Sequence, residues 1–369
     1  MRVELTDEQE FLRDAVAGVV AREAKFAAVR AWTEQGDFAE ADALAARQGW
    51  TGIGLDDASG GQGGGTLELA ILAEQLGAGA VPWDRTLAGC LAAPVLAASG
   101  DEEARALATE TAEGERVAVL AADGRRPIRP SRDTLGPGGV MSLRLRHVVA
   151  GADADELVVP VDAGDAVELR AVEAGATGVT VERRRLVDRT RSLADVELEN
   201  APARSVGTIP KETLVRAASA AAVVLAADAL GAAGRLLDLT TAYVVERRQF
   251  GVPVGSFQAV KHAAAEMLVD VEGSRAAVQH GAWAVDADVG AARLHAAIAK
   301  SHACSAAVRV ADKALFLHGA VGYTWEHDLQ FPFKRAKSDA VLYGSPDVYR
   351  DVIAAELDLV PAGVSPNTA

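Results

Sequence analysis

Cysteine is almost absent: the 369-residue chain holds Cys90 and Cys304 and no others. Two thiols in separate alanine-rich stretches make neither a disulfide framework nor a zinc set; they read as core residues of a protein from a reducing compartment. Long apolar runs are also missing. The longest uncharged stretch, Thr86–Gly100, has 15 residues with two glycines and a proline, too short to span a bilayer. No apolar signal region opens the chain: MRVELTDEQEFLRDAV starts a helix at once, with Thr6 as its cap and Glu8 and Glu10 in the first turn. The expectation is a soluble, cytoplasmic protein. Positive charge is in deficit, with 37 Lys and Arg against 52 Asp and Glu and a net charge of −15. That argues against nucleic acid or an anionic membrane as the main partner. The seven histidines form no metal cluster. His295 and His302 share a helical face, but no carboxylate stands four residues from both; His262 reads as structural. The glycine-dense run at 51–65, TGIGLDDASGGQGGG, lacks the Lys-Ser/Thr of a phosphate-binding loop and reads as a loop between helices. There is no internal repeat.

What is present is ordinary globular composition, half hydrophobic and a quarter charged, in a chain long enough for two or three packed units. Three zones follow one another. Residues 1–115 carry helical periodicity, as in 7–23, 38–48 and 67–76. Over 116–206 the period drops to two, in 117–121, 141–146, 157–161, 167–172, 179–181 and 196–198, which predicts a small antiparallel β domain. From 207 to 360 the chain is helical again and rich in alanine, with Leu214, Ala218, Ala221 and Leu225 on one face; 361–369 is a loose tail.

The most informative segment is 246–267, ERRQFGVPVGSFQAVKHAAAEM. Arg247 and Arg248 supply two forked cations suited to a phosphate or carboxylate. Phe250 adds a flat apolar face, Gly251, Pro253 and Gly255 make a turn, and Val260, Ala264, Met267 and Leu268 begin a helical apolar stripe. Taken singly, each has a plain alternative: the arginines solvated or paired with Glu246, and Phe250 in the core. A second run, LHGAVGYTWEHDL, occupies 317–329, and EQLGAG at 74–79 follows the glycine-dense loop.

Together these runs resemble the acyl-CoA dehydrogenase family of flavoenzymes over nearly the whole chain. The resemblance implies an α+β fold: an N-terminal all-α domain, a middle antiparallel β domain and a C-terminal four-helix bundle. It implies FAD at a subunit interface, α,β-dehydrogenation of an acyl-CoA and electron-transfer flavoprotein as acceptor. By position in the motifs, Arg247 matches the arginine that reaches the partner's FAD pyrophosphate and Phe250 the aromatic beside it. Gly319, Ala320 and Gly322 fall in a second FAD-contacting turn.

The chain departs from the family where the chemistry belongs. At the usual glutamate near the C-terminus stands Tyr343, in LYGS at 342–345; a phenol of reference pKa ~10 is a poor base. At the alternative glutamate position stands Ala221, followed by Ala222 where other members carry a CoA-contacting arginine. The Thr-Glu-Pro…Gly-Ser-Asp segment expected after the first strand is replaced by AADGRRPIRPSRD at 121–133. Its Arg125, Arg126, Arg129 and Arg132 would grip a phosphate or a partner's acidic surface, or lie in a plain exposed loop, the reading slightly favoured. Phe316 replaces the second turn's glutamine; as a buried ring it would supply no amide hydrogen bonds. Glu326 and His327, adjacent in the TWEH run, are expected to point apart, and Arg183–Arg185 to be a solvated strand end. The groups a subunit uses for its own flavin and substrate are lost, while those it lends to a partner's flavin are partly kept. The leading expectation is therefore a base-lacking subunit of a two-chain actinobacterial acyl-CoA dehydrogenase, paired with a glutamate-bearing relative and acting on a steroid side-chain CoA. Two alternatives stay open: a homo-oligomeric flavoenzyme with another base, and a helical scaffold that binds no flavin.

Overall fold

The structure, a computed structural model, describes residues 4–132 and 134–359; the expected tail at 361–369 lies outside them. In chain order the helices are α1 (Asp7–Glu23), α2 (Phe26–Gln35), α3 (Ala39–Arg47), α4 (Thr66–Gly79), α5 (Asp84–Ala97) and α6 (Glu102–Ala112). The strands β1 (Ala118–Leu120), β2 (Val140–Val149), β3 (Glu156–Ala163), β4 (Ala166–Glu173), β5 (Val179–Arg183), β6 (Leu193–Pro202) and β7 (Arg204–Pro210) follow. Then come α7 (Lys211–Glu246), the short strands β8 (Arg248–Gln249) and β9 (Val252–Pro253), α8 (Gln258–Asp286), α9 (Ala292–His318), α10 (Gln330–Asp339) and α11 (Pro346–Glu356).

Local chemistry sets several boundaries. Thr6 and Gln9 form a reciprocal capping box at the start of α1: the Gln9 N–H donates to Thr6 Oγ1 at 3.3 Å and the Thr6 N–H to Gln9 Oε1 at 3.0 Å. The uncharged run that fails as a membrane span is α5, buried along most of its length, so it has no polar face and no amphipathic period to read. α7 is long and apolar enough to cross a membrane by length and composition, yet 72% of its most apolar window is buried within the protein, as in a core helix.

The packing divides the chain into two compact units. One takes residues 32–69 and 82–221 and contains both larger sheets. Its first sheet has the order β1-β3-β4-β7 and its second β2-β6-β5. The pairing is antiparallel except for β1, which lies parallel to β3, with Val119 opposite Leu157. This corrects the all-antiparallel expectation, since a period of two carries no pairing direction. Met141, Leu145, Leu157, Val159, Val196 and Leu198 form the core. A buried ion pair, Arg191 to Asp84 at 2.6 Å, ties the segment before β6 to α5.

The other unit is assembled from 1–31, 70–81 and 222–369. Its described residues place α4 directly on α7: a Cβ at Gly77 would lie 2.2 Å from the Asp228 carbonyl oxygen, and one at Gly231 1.8 Å from that of Glu74. Only glycine permits this approach, which accounts for Gly77 in the EQLGAG run. Beside the crossing Arg335 is fully buried. It pairs with Asp228 at 3.0 Å and donates to the Val81 carbonyl at 2.7 Å. Cys90 and Cys304 are buried, as expected; burial pushes the Cys90 thiol up to about 12.

Candidate functional site

α7 ends in a tight hairpin rather than a plain turn. The Arg247 N–H still donates to the Tyr243 carbonyl at 2.8 Å, and the Val254 N–H returns to Arg247 O at 2.8 Å. The two loop residues, Phe250 and Gly251, have φ of 53° and 81°, the left-handed pair such a two-residue loop needs. Glycine suits this; phenylalanine rarely adopts it. Phe250 is 93% exposed and meets only the edge of Phe257, at 6.2 Å, so it is not a core residue. Arg247 and Arg248 are exposed, and among the described residues neither guanidinium has an ion-pair partner, Glu246 included.

α9 ends in the second singled-out turn. Gly319 has φ 62°, and a Cβ there would meet nothing within 4 Å. A Cβ at buried Gly322 would lie 2.9 Å from that of His318. Gly319 and Ala320 are exposed. Phe316 is 82% exposed. That corrects the buried ring expected at this position: the helix turns Phe316 outward and Ala314 and His318 inward.

The two helix ends are joined. The Tyr243 ring stacks on the His318 ring at 4.5 Å and 18°, and its hydroxyl donates to the His318 carbonyl at 3.3 Å. His318 Nδ1 lies 2.8 Å from the Ala314 carbonyl, which makes Nδ1 the protonated nitrogen. Burial lowers the His318 pKa, the hydrogen bond to the Ala314 carbonyl opposes it, and His327 adds a smaller lowering. Arg30 of α2 pins the following loop by donating to Trp325 O at 2.7 Å, Glu326 O at 3.1 Å and Asp328 Oδ1 at 2.8 Å. No hydrogen bond joins Glu326 and His327; His327 Nδ1 accepts from the Leu329 N–H at 3.1 Å. Neither Tyr243 nor Arg30 carries a local sequence signal, because their partners lie 75 and about 295 positions away.

Tyr343 and Ala221, the residues expected at the base positions, are both enclosed. Tyr343 is 3% exposed with φ 54°, and its carbonyl accepts from the Tyr349 hydroxyl at 2.9 Å. Burial pushes the Tyr349 phenol above its ordinary value, and neighbouring Cys304 and Tyr343 add to the rise. Ala221 is fully buried.

The arginine-rich runs are largely paired within the chain. Arg125 meets Asp123 at 2.6 Å and Arg132 meets Asp162 at 3.0 Å. Among the described residues Arg126 and Arg129 have no ion pair. Arg183 closes β5 and pairs with Asp153 at 2.5 Å, Arg184 pairs with Asp195, and Arg183 and Arg185 stay exposed, as expected of a solvated strand end. Burial acts to raise Asp195, but hydrogen bonds from Arg184, Arg146 and the His147 N–H outweigh it and hold the carboxyl well below the usual range. His295 faces His280, not His302, with ring nitrogens 3.1 Å apart, and no metal-binding group occurs among the described residues.

Sequence profiles for the acyl-CoA dehydrogenase N-terminal and C-terminal domains match residues 6–115 and 214–357. An acyl-CoA dehydrogenase of Mycobacterium tuberculosis, IpdE2, is 33% identical over 343 residues, covering 92% of this chain and 94% of the relative. The chain belongs to the acyl-CoA dehydrogenase family. Among solved structures, one chain of the ChsE4–ChsE5 complex from Mycobacterium tuberculosis superposes with TM-score 0.87 at 28% identity, over 98% of this chain and all of that one. The Tcur3481–Tcur3483 steroid ACAD shares the fold, with TM-score 0.86 at 24% identity over 96% and 98% of the two chains. The family is one of flavin-dependent oxidoreductases, and the exposed helix ends fit its cofactor. The unspent guanidinium forks suit a pyrophosphate, and Gly319 leaves open backbone for close approach. The stretch after β1 does not fit a flavin in the same way, because two of its four arginines are spent on carboxylates.

Proposed function

We propose that this chain is one subunit of a heteromeric FAD-dependent acyl-CoA dehydrogenase and completes the cofactor site of a glutamate-bearing relative. The observation that carries the reading is a contrast: Arg247 and Phe250 are exposed and unspent, whereas Tyr343 and Ala221, at the base positions, are sealed in the interior. Arg247 would hold the FAD pyrophosphate, with Phe250 beside it and the 319–322 turn, including Gly319, Ala320 and Gly322, lying along the nucleotide. The likeness to a chain of a two-protein complex supports the pairing.

FAD held by Arg247 and the 319–322 turn would supply a hydride acceptor for the β-hydrogen of an acyl thioester. The α proton goes to a carboxylate, which this chain does not provide, so that step belongs to the partner. The present chain orients the nucleotide and closes the interface. The reading includes a steroid side-chain CoA as substrate, electron-transfer flavoprotein as acceptor and a cytoplasmic location. It keeps the division into 1–115, 116–206 and 207–360 as domains.

The test is to purify the chain alone and after co-expression with a glutamate-bearing homologue, and to record flavin absorbance. Colourless protein alone, with stoichiometric FAD in the co-purified complex, is expected. A yellow protein that is reduced by an acyl-CoA without any partner would overturn the reading.

A further inference from the structure

A groove of about 690 Å³ runs between α1, α4 and α7, inside the unit that carries α8 and α9. Its size falls within the range of small-molecule sites. The floor is built of small side chains, among them Ala21, Ala78 and Gly234. Gly234 stands apart from the glycines at the helix crossing. Gly77 and Gly231 are required because backbone presses against them, but a Cβ at Gly234 would meet nothing within 4 Å. Glycine in the interior of a helix is unfavourable relative to alanine, and here no packing contact within the chain asks for it. What it leaves is open floor.

Next to it stands Arg235. Its guanidinium lies over the Phe26 ring at 5.2 Å, which fixes the plane of the fork while leaving the in-plane N–H donors available. Among the described residues Arg235 has no hydrogen bond and no ion pair. The other charges of the groove are mostly settled: Arg275 pairs with Glu74, and Asp328 pairs with Arg30. Lys25 adds a second cation and Asp238, one turn beyond Arg235, a carboxylate. The arrangement is an oriented, half-buried cation above a small-residue floor, with an acid nearby that disfavours a second negative charge.

We infer that this groove is a binding site for an apolar monocarboxylate, whose head pairs with the Arg235 fork and whose body lies over Gly234. The site is separate from the helix-end surface proposed for the cofactor and stands whether or not that proposal holds.

Isothermal titration of the full chain, alone and in the co-expressed complex, with decanoate as probe and decylamine as its cationic counterpart, tests the inference. Saturable decanoate binding at one site is expected in both preparations, with decylamine far weaker. Arg235→Ala should weaken decanoate about 10-fold or more, Arg235→Lys less, and Gly234→Leu should abolish binding while the far-ultraviolet spectrum stays unchanged. Equal binding of decylamine, a decanoate affinity unmoved by Arg235→Ala, or no saturable binding overturns it. Binding to the free chain that vanishes in the complex also overturns it, because a protein segment would then be the natural occupant.

Discussion

Arginines of two kinds sit in the same helical unit. Arg335 is fully buried, paired with Asp228 and bonded to a backbone carbonyl. Arg247 and Arg248 are exposed in a hairpin and have no ion-pair partner among the described residues. A buried guanidinium that spends its donors inside the fold is an element of architecture, and taking away one partner strands the other as an uncompensated charge. An exposed guanidinium beside an outward-facing Phe250 adds almost nothing to folding and is available for recognition. The comparison separates cations spent inside the fold from cations left exposed.

The sharpest way to break it is at the buried end. Arg335→Ala should lower the unfolding free energy by about 3–5 kcal/mol, read from urea denaturation. Replacing both partners, with Arg335→Met and Asp228→Leu, should recover most of that loss. A double variant as unstable as the single one would mean that the Val81 contact, not the ion pair, holds the site.

Asp42 is the intermediate case. It pairs with Arg85 at 3.1 Å in the sheet-bearing unit. Burial raises its pKa to about 6, against the opposing pull of Arg85. A carboxyl whose folded pKa lies above its unfolded value stabilises the fold below the unfolded value, and that contribution is lost as pH rises through the folded one. Stability should therefore fall between about pH 4 and 6 by up to ~3 kcal/mol from this group alone. Asp42→Asn should flatten that stretch of the melting temperature–pH curve.

At the exposed end, Arg247→Ala should leave stability within about 0.5 kcal/mol. It should weaken FAD retention in the co-expressed complex by about 10- to 100-fold, the contribution of one charge-assisted contact. Ultrafiltration followed by flavin fluorescence reads the second effect and denaturation the first. A large stability loss with unchanged flavin would reverse the roles assigned to the two arginine classes. The smallest effect is expected for Gly234→Ala, a gain of about 0.5–1 kcal/mol from helix propensity, seen as a raised urea midpoint; a loss would mean the groove floor is under packing constraint.

Much of this was legible in the chain. The first helix is bounded at Asp7 and Glu23 as its cap and period predict, and six strands fall where a period of two places them. Two missed helices have separate causes: α5 is buried along most of its length and so shows no amphipathic stripe, and α2 is a short helix close behind α1. At the site, the sequence order of ERRQFG and LHGAVG carried the family, whose domain profiles match the chain. The exposure of Phe316 was not legible, because residue type predicts burial while the helix phase turns it outward. The Tyr243–His318 stack and the Arg30 clasp were hidden for another reason: contacts so distant in sequence are properties of the fold.

That distance has a consequence for biosynthesis. Arg30 closes on Asp328 across 298 positions, and Arg335 on Asp228 and Val81, so contacts within the helical unit join early and late parts of the chain. At ordinary elongation rates of about 5–20 residues per second, the first helices wait roughly 15–60 s before their partners are made. The segment bearing the sheets, 82–221, is complete well before that. During this interval Arg30 of α2 is without the Trp325, Glu326 and Asp328 partners that it holds in the fold.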